Sequence, residues 1–191
     1  MIILVVCREV GVREDRRLIR AMRRGSREAL ERLYEKYASF LLTVALALCH
    51  RLDAAEDVVH DFFVSFVASA GRVKAQGNLR AYMAICVANL ARDRLRRERR
   101  GPGYLDDEIE IEADTASPEQ QASKREQAVA LNWALSQLPF EQKEVIVLHV
   151  HGRMKFTQIA RQRGRSVNTV RSQYRYGIRK MSALLNHEVV S

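Results

Sequence analysis

Proline is scarce, with three in 191 residues, so few positions force a helix to stop. Cysteine is equally scarce. Cys7, Cys49 and Cys86 are odd in number, far apart and in no CxxC arrangement. That pattern argues against a disulfide framework or a zinc site, and predicts buried, reduced thiols in a cytoplasmic protein. Long apolar runs are missing as well. The opening MIILVVC is far shorter than a span and has no basic region before it, so neither a secretory signal nor membrane insertion is expected. Nor is there a glycine-rich phosphate loop, a nucleophile elbow or a metalloprotease signature. His149 and His151 flank Val150, but residues two apart on a helix point to different sides, and no third ligand is close in sequence. No metal, no cofactor and no catalysis are expected.

What is present is positive charge. Lys and Arg total 32 against 23 acids, a formal +9, which points to a polyanionic partner. The charge is unevenly spread. Residues 1–100 hold 20 basic and 12 acidic side chains, and residues 124–191 hold 12 basic and four acidic. Between them, residues 101–123 hold seven acids and no base, open on Gly-Pro-Gly and show no lasting period. This composition predicts a flexible acidic linker joining two basic modules, 1–100 and 124–191.

Both modules read as helical, so the expected class is all-α. Apolar residues recur at three- and four-residue steps from Leu18 through Met22, Ala29, Leu33 and Tyr37 to Leu48. Asp53, three residues before Glu56, reads as an N-cap for AAEDVVHDFF. Gly71 and Gly77 bracket a loop, and Asn78 caps a helix that runs to Gly101-Pro102. In the second module helices are expected over 128–138, 141–151 and 156–163. Gly164 closes the third, and Ser166 caps a fourth that runs towards Leu185. A glycine-containing turn before the last helix is the outline of a helix-turn-helix.

That last helix carries the functional signal. Val167, Val170, Tyr174, Ile178, Met181 and Leu185 form a narrow stripe at about 100° per residue. The opposite side holds Asn168, Thr169, Ser172, Gln173, Tyr176 and Arg179, with Arg171 and Arg175 on the flanks. Six arginines and no acid lie between 161 and 179, so no ion pair within the helix neutralises them. Short hydrogen-bonding side chains flanked by guanidinium groups suit a major groove, where amides read base edges and arginines hold phosphates. The first module also changes polarity. AAEDVVHDFF is acidic beside an apolar stripe, whereas ANLARDRLRRERR is basic. Either a basic protein and a nucleic acid meet its two ends, or the two segments are an ordinary amphipathic pair.

Taken together, LYEKY, AEDVVHDFF and LRAYMAICVANLARDRLRR over residues 16–100 resemble region 2 of the bacterial extracytoplasmic-function sigma factors. LSQLPFEQKEVIVLHVHG, FTQIA and SVNTVRSQYRYGIRKM over residues 124–187 resemble region 4 of the same family. The resemblance implies two small helical domains that bind core RNA polymerase and promoter DNA, with an anti-sigma protein as a further partner. It assigns polymerase contact to Asp57, His60, Asp61 and Phe63. It assigns minus-ten element contact and capture of the melted strand to Asn78, Arg80, Tyr82, Asn89, Arg92 and Arg96. The minus-thirty-five duplex falls to Arg165, Ser166, Asn168, Thr169, Arg171, Ser172, Gln173, Arg175, Tyr176 and Arg179. The chain departs from the family pattern with His60 for Gln, Tyr82 for Trp, Lys155 for a Ser or Thr cap, and Arg163 and Arg165 for apolar residues at the turn. The competing reading is a sigma-like helix-turn-helix regulator that does not engage polymerase, and the AEDVVHDFF helix separates the two.

Overall fold

The computed structural model describes residues 12–69, 78–98 and 118–188, and every secondary-structure element in them is a helix. The opening apolar segment with Cys7, the loop between Gly71 and Gly77, and residues 101–117 of the acidic stretch lie outside the described residues.

The first module contains α1 (Val12–Arg23), α2 (Arg27–Cys49), α3 (Leu52–Ala68) and α4 (Leu79–Glu98). The apolar recurrence from Leu18 to Leu48 spans two helices. Gly25 takes φ +86°, a left-handed conformation that ends α1, and Ser26 caps α2 by accepting from Ala29 N–H at 3.3 Å. Asp15 joins them: buried, it accepts from Tyr37 O–H at 2.9 Å and from Lys36 Nζ at 2.8 Å. Asp53 is not the cap of α3. That position belongs to Arg51, whose side chain caps nothing on the helix, and Asp53 sits in the first turn accepting from the Arg51 guanidinium. An acid there still gains from the helix dipole. Asn78 does cap α4, with Ala81 N–H donating to its Oδ1 at 3.3 Å.

The second module contains α5 (Pro118–Ser136), α6 (Phe140–Val150), α7 (Phe156–Arg163) and α8 (Val167–Glu188). Helix α5 begins well before Ala128, so residues 118–123, read from sequence as linker, are helical; Pro118 opens the first turn, where its missing N–H costs nothing. Lys155 stands at the N-cap of α7 and its side chain accepts nothing. Gln158 Oε1 instead accepts from Lys155 N–H at 2.9 Å. Gly164, at φ +59°, closes α7, and Ser166 Oγ caps α8 by accepting from Thr169 N–H at 3.0 Å. The His149 ring stacks on Phe156 at 4.3 Å and meets Tyr174 edge-on at 5.1 Å, joining α6, α7 and α8.

The modules pack against each other. Helix α6 lies against α2 and α4, and α5 against α2.

Candidate nucleic-acid and polymerase interfaces

Helix α3 turns Val58, Val59, Phe62, Phe63 and Phe66 into the core and leaves Glu56, Asp57, His60 and Asp61 outside. Phe63 is 8% exposed and packs against Phe62 and the ring of Tyr34, so it supports the outer face from beneath. Asp57 is not free. Arg94 of α4 reaches it at 2.8 Å, while no bond or ion pair engages Asp61 or His60. Beside them Val64 is 56% exposed and Val67 42%. The result is an acidic face rimmed by apolar side chains.

Helix α4 divides the six minus-ten candidates. At about 100° per residue, Tyr82, Asn89, Arg92 and Arg96 share one side, opposite the buried Val87 and Ala91. Asn78 lies at the helix start, its oxygen occupied as the cap. Arg80 departs from the set. Its guanidinium lies 3.5 Å over the Phe40 ring, and its Nε donates to the His151 carbonyl of α6 at 3.1 Å. Tyr82 is 41% exposed, so it is no core residue; partial burial first, and its bond to Cys86 second, push its hydroxyl up to about 12. Asn89 accepts from Arg92 at 3.2 Å. Arg92 also donates to Glu144 of α6, the most buried carboxylate of the second module, whose other oxygen accepts from Arg163 of α7.

Helix α8 buries Val170, Gly177 and Met181, with Val167, Tyr174 and Leu185 half-buried behind them. Ile178, read from sequence as part of that stripe, is 36% exposed; the buried line passes through Gly177 instead. A β-carbon at Gly177 would lie 2.8 Å from Ile146 Cδ1 and 3.3 Å from Gln142 Cβ, so this glycine lets α8 approach α6 closely. Asn168, Thr169, Arg171, Arg175, Tyr176 and Arg179 are exposed, as are Arg165 and Ser166 at the turn. Ser166 is committed to the cap. Ser172 is half-buried, and Gln173 turns its Oε1 inward, where it finds no partner among the described residues. Gln173 is therefore a poorer base reader than its position on the sequence suggests.

Sequence reasoning passed over two site features. Glu144 reads as one more charge of an amphipathic helix, and only the packing shows it held between Arg92 and Arg163. Arg163 reads as a phosphate ligand, yet burial weakens its hold on its proton, and it faces an acid.

The Sigma-70 region 2 family model matches residues 33–101 and the Sigma-70 region 4 model matches residues 129–181, together more than half of the chain. The chain is 25% identical over 175 residues to the ECF RNA polymerase sigma factor SigM of Mycobacterium tuberculosis, covering 92% of this chain and 86% of that one. It is 29% identical over 166 residues to the RNA polymerase sigma factor CarQ of Myxococcus xanthus, covering 85% and 92%. Among solved structures, CnrH in complex with the cytosolic domain of CnrY superposes with a TM-score of 0.63 at 24% identity, over 91% of this chain and 98% of that one. The sigma factor RpoE of Bartonella quintana, in complex with the anti-sigma factor NepR, superposes at 0.65 and 20% identity, over 82% and 98%. With both regions present, in this order and over the helices described above, the chain belongs to the extracytoplasmic-function group of the sigma-70 family.

Proposed function

We propose that this chain works in the cytoplasm as a promoter-recognition subunit, binding core RNA polymerase and leaving catalysis to it. Three surfaces divide the work. Asp61 and His60 on α3, with the exposed Val64 beside them, form the polymerase dock: acids for a basic partner and apolar area for affinity. Tyr82, Asn89, Arg92 and Arg96 on α4 take the minus-ten strand, the tyrosine stacking on a base and the arginines holding phosphates. Asn168 and Thr169 of α8 read the minus-thirty-five duplex, flanked by Arg171, Arg175 and Arg179. A protein that holds the chain inactive belongs to the same reading, since CnrH and RpoE are each seen with such a partner.

One observation carries the reading: α8 presents four exposed arginines, counting Arg165 at its turn, with no acid among them, in the same chain as the acidic outer face of α3. A regulator that only binds DNA has no use for the second feature. The test is run-off transcription with core polymerase on a library of promoter fragments. Defined start sites that appear only when the chain is added support the reading, and duplex binding without transcription leaves the plain DNA-binding regulator.

A further inference from the structure

The outer face of α4 does not look onto solvent. It looks onto the second module across a cleft of about 280 Å³, whose walls include Asn89, Arg92 and Arg96 from α4 and Glu144, Arg163 and Arg165 from the other side. Three contacts hold the cleft shut. Glu144 places one carboxylate oxygen on Arg92 and the other on Arg163. Arg80 donates to the carbonyl of His151 at 3.1 Å. Lys143, 5% exposed, meets the His50 ring. The contact with Arg92 has the chemistry of a nucleic-acid contact, a guanidinium gripping a buried anionic oxygen.

Geometry makes this arrangement incompatible with reading a whole promoter. Elements centred ~25 base pairs apart lie roughly 85 Å apart along the duplex, at about 3.4 Å per step. A compact body of this length is only about 40 Å across. The modules must therefore separate, and 19 residues lie between Glu98 and Pro118. At about 3.3–3.6 Å per residue, that length of chain reaches some 60–70 Å, which together with the modules' own breadth spans the distance.

We infer that the closed packing is a self-inhibited state, in which Glu144 takes the place of a DNA phosphate on Arg92 and the second module screens the minus-ten face of α4. The inference rests on α4 being a strand-binding face. Helix α8 keeps its outer face exposed in the closed state, so the free chain holds duplex through α8 while its strand-capturing side chains stay occupied. Polymerase docking on α3, or any partner that draws the modules apart, then releases them.

Two variants test this in the full-length chain. Lys143→Ala loosens the interface without touching any proposed DNA ligand, and Glu144→Gln removes the charge on Arg92. Each is checked for native helicity by circular dichroism. The radius of gyration of the free chain, from X-ray scattering, reads opening. Fluorescence anisotropy with a single-stranded oligonucleotide reads the α4 face, and with a duplex reads α8. Both variants should expand the chain and tighten single-strand binding roughly tenfold, because the competent state no longer has to be released first. Duplex binding by Lys143→Ala should stay within about twofold of wild type. Expansion without tighter strand binding, or tighter binding without expansion, overturns the inference. An absence of strand binding in wild type and both variants, despite expansion and normal duplex binding, overturns instead the assignment of α4 as the strand-binding face.

Discussion

Asp61 is the residue at which polymerase docking and plain DNA binding part company. It stands exposed a turn and a half into α3, beyond the part of the helix where the dipole rewards an acid, and no ion pair engages it. Asp57, four residues earlier, is held by Arg94 and is a less clean probe. Asp61→Lys is expected to leave thermal stability within about 0.5 kcal/mol of wild type, as surface substitutions do. It should abolish assembly with core polymerase while sparing duplex binding; a pull-down of core at wild-type level would show that α3 is not the dock. At this scale the sequence was readable where a residue acts alone. Ser166 and Asn78 cap helices as their type and position predict. It was not readable where a distant residue competes for the side chain. Arg80 belongs by spacing to the basic helix, yet it is taken up by Phe40 and by a carbonyl 71 positions away, and no local pattern carries that.

At the scale of the element, α8 is governed by a residue that apolar periodicity cannot count. Glycine has no side chain, so the sequence stripe stepped over Gly177 and took in Ile178, whereas packing uses the gap at 177 to seat α8 against Ile146 and Gln142. The two substitutions at this site should differ. In Gly177→Ala the methyl meets the movable end of Ile146, and better helix propensity, worth about 1 kcal/mol, offsets the crowding, so stability stays near wild type. Gly177→Val adds bulk that cannot be so accommodated, and should cost roughly 1–3 kcal/mol in thermal unfolding and weaken duplex binding with it. The outer face of the same helix obeys electrostatics. Log affinity for duplex should fall linearly with log salt, at a slope near −0.9 per phosphate contacted. Arg175→Ala should reduce that slope by about one and weaken all sequences alike, whereas Asn168→Ala should relax preference at one position by roughly 1–3 kcal/mol. A salt-independent affinity would remove the phosphate contacts from the account. Helix type and order were legible because each helix carries its own period and its own stops. The start of α5 was not, because the acids and the Ser-Pro pair before it read as linker.

The whole molecule adds a quantity that neither module has alone, the free energy of keeping them together, and His50 makes that quantity depend on pH. His50 ends α2 in a left-handed conformation at φ +61°, with its ring packed under the second module against Lys143, where Asn132 also reaches it. Burial, and then the Lys143 ammonium, push its pKa down from 6.5 to about 3. A proton on this ring would place two cations in one half-buried site. The sign follows directly. Once the interface opens, the ring returns towards its ordinary value, so between those two values the open state binds the extra proton. The closed state is then fully favoured above about pH 6.5 and loses ground as pH falls below it, by at most about 1.4 kcal/mol per pH unit. Scattering from the free chain should show the radius of gyration growing from pH 7.5 to pH 5 at unchanged helicity. His50→Asn tests the cause, since asparagine tolerates the left-handed conformation and does not titrate in this range. That variant should keep its dimensions across the same interval. If it expands in acid as the wild type does, the pH dependence belongs to another group, and His50 is only the end of a helix.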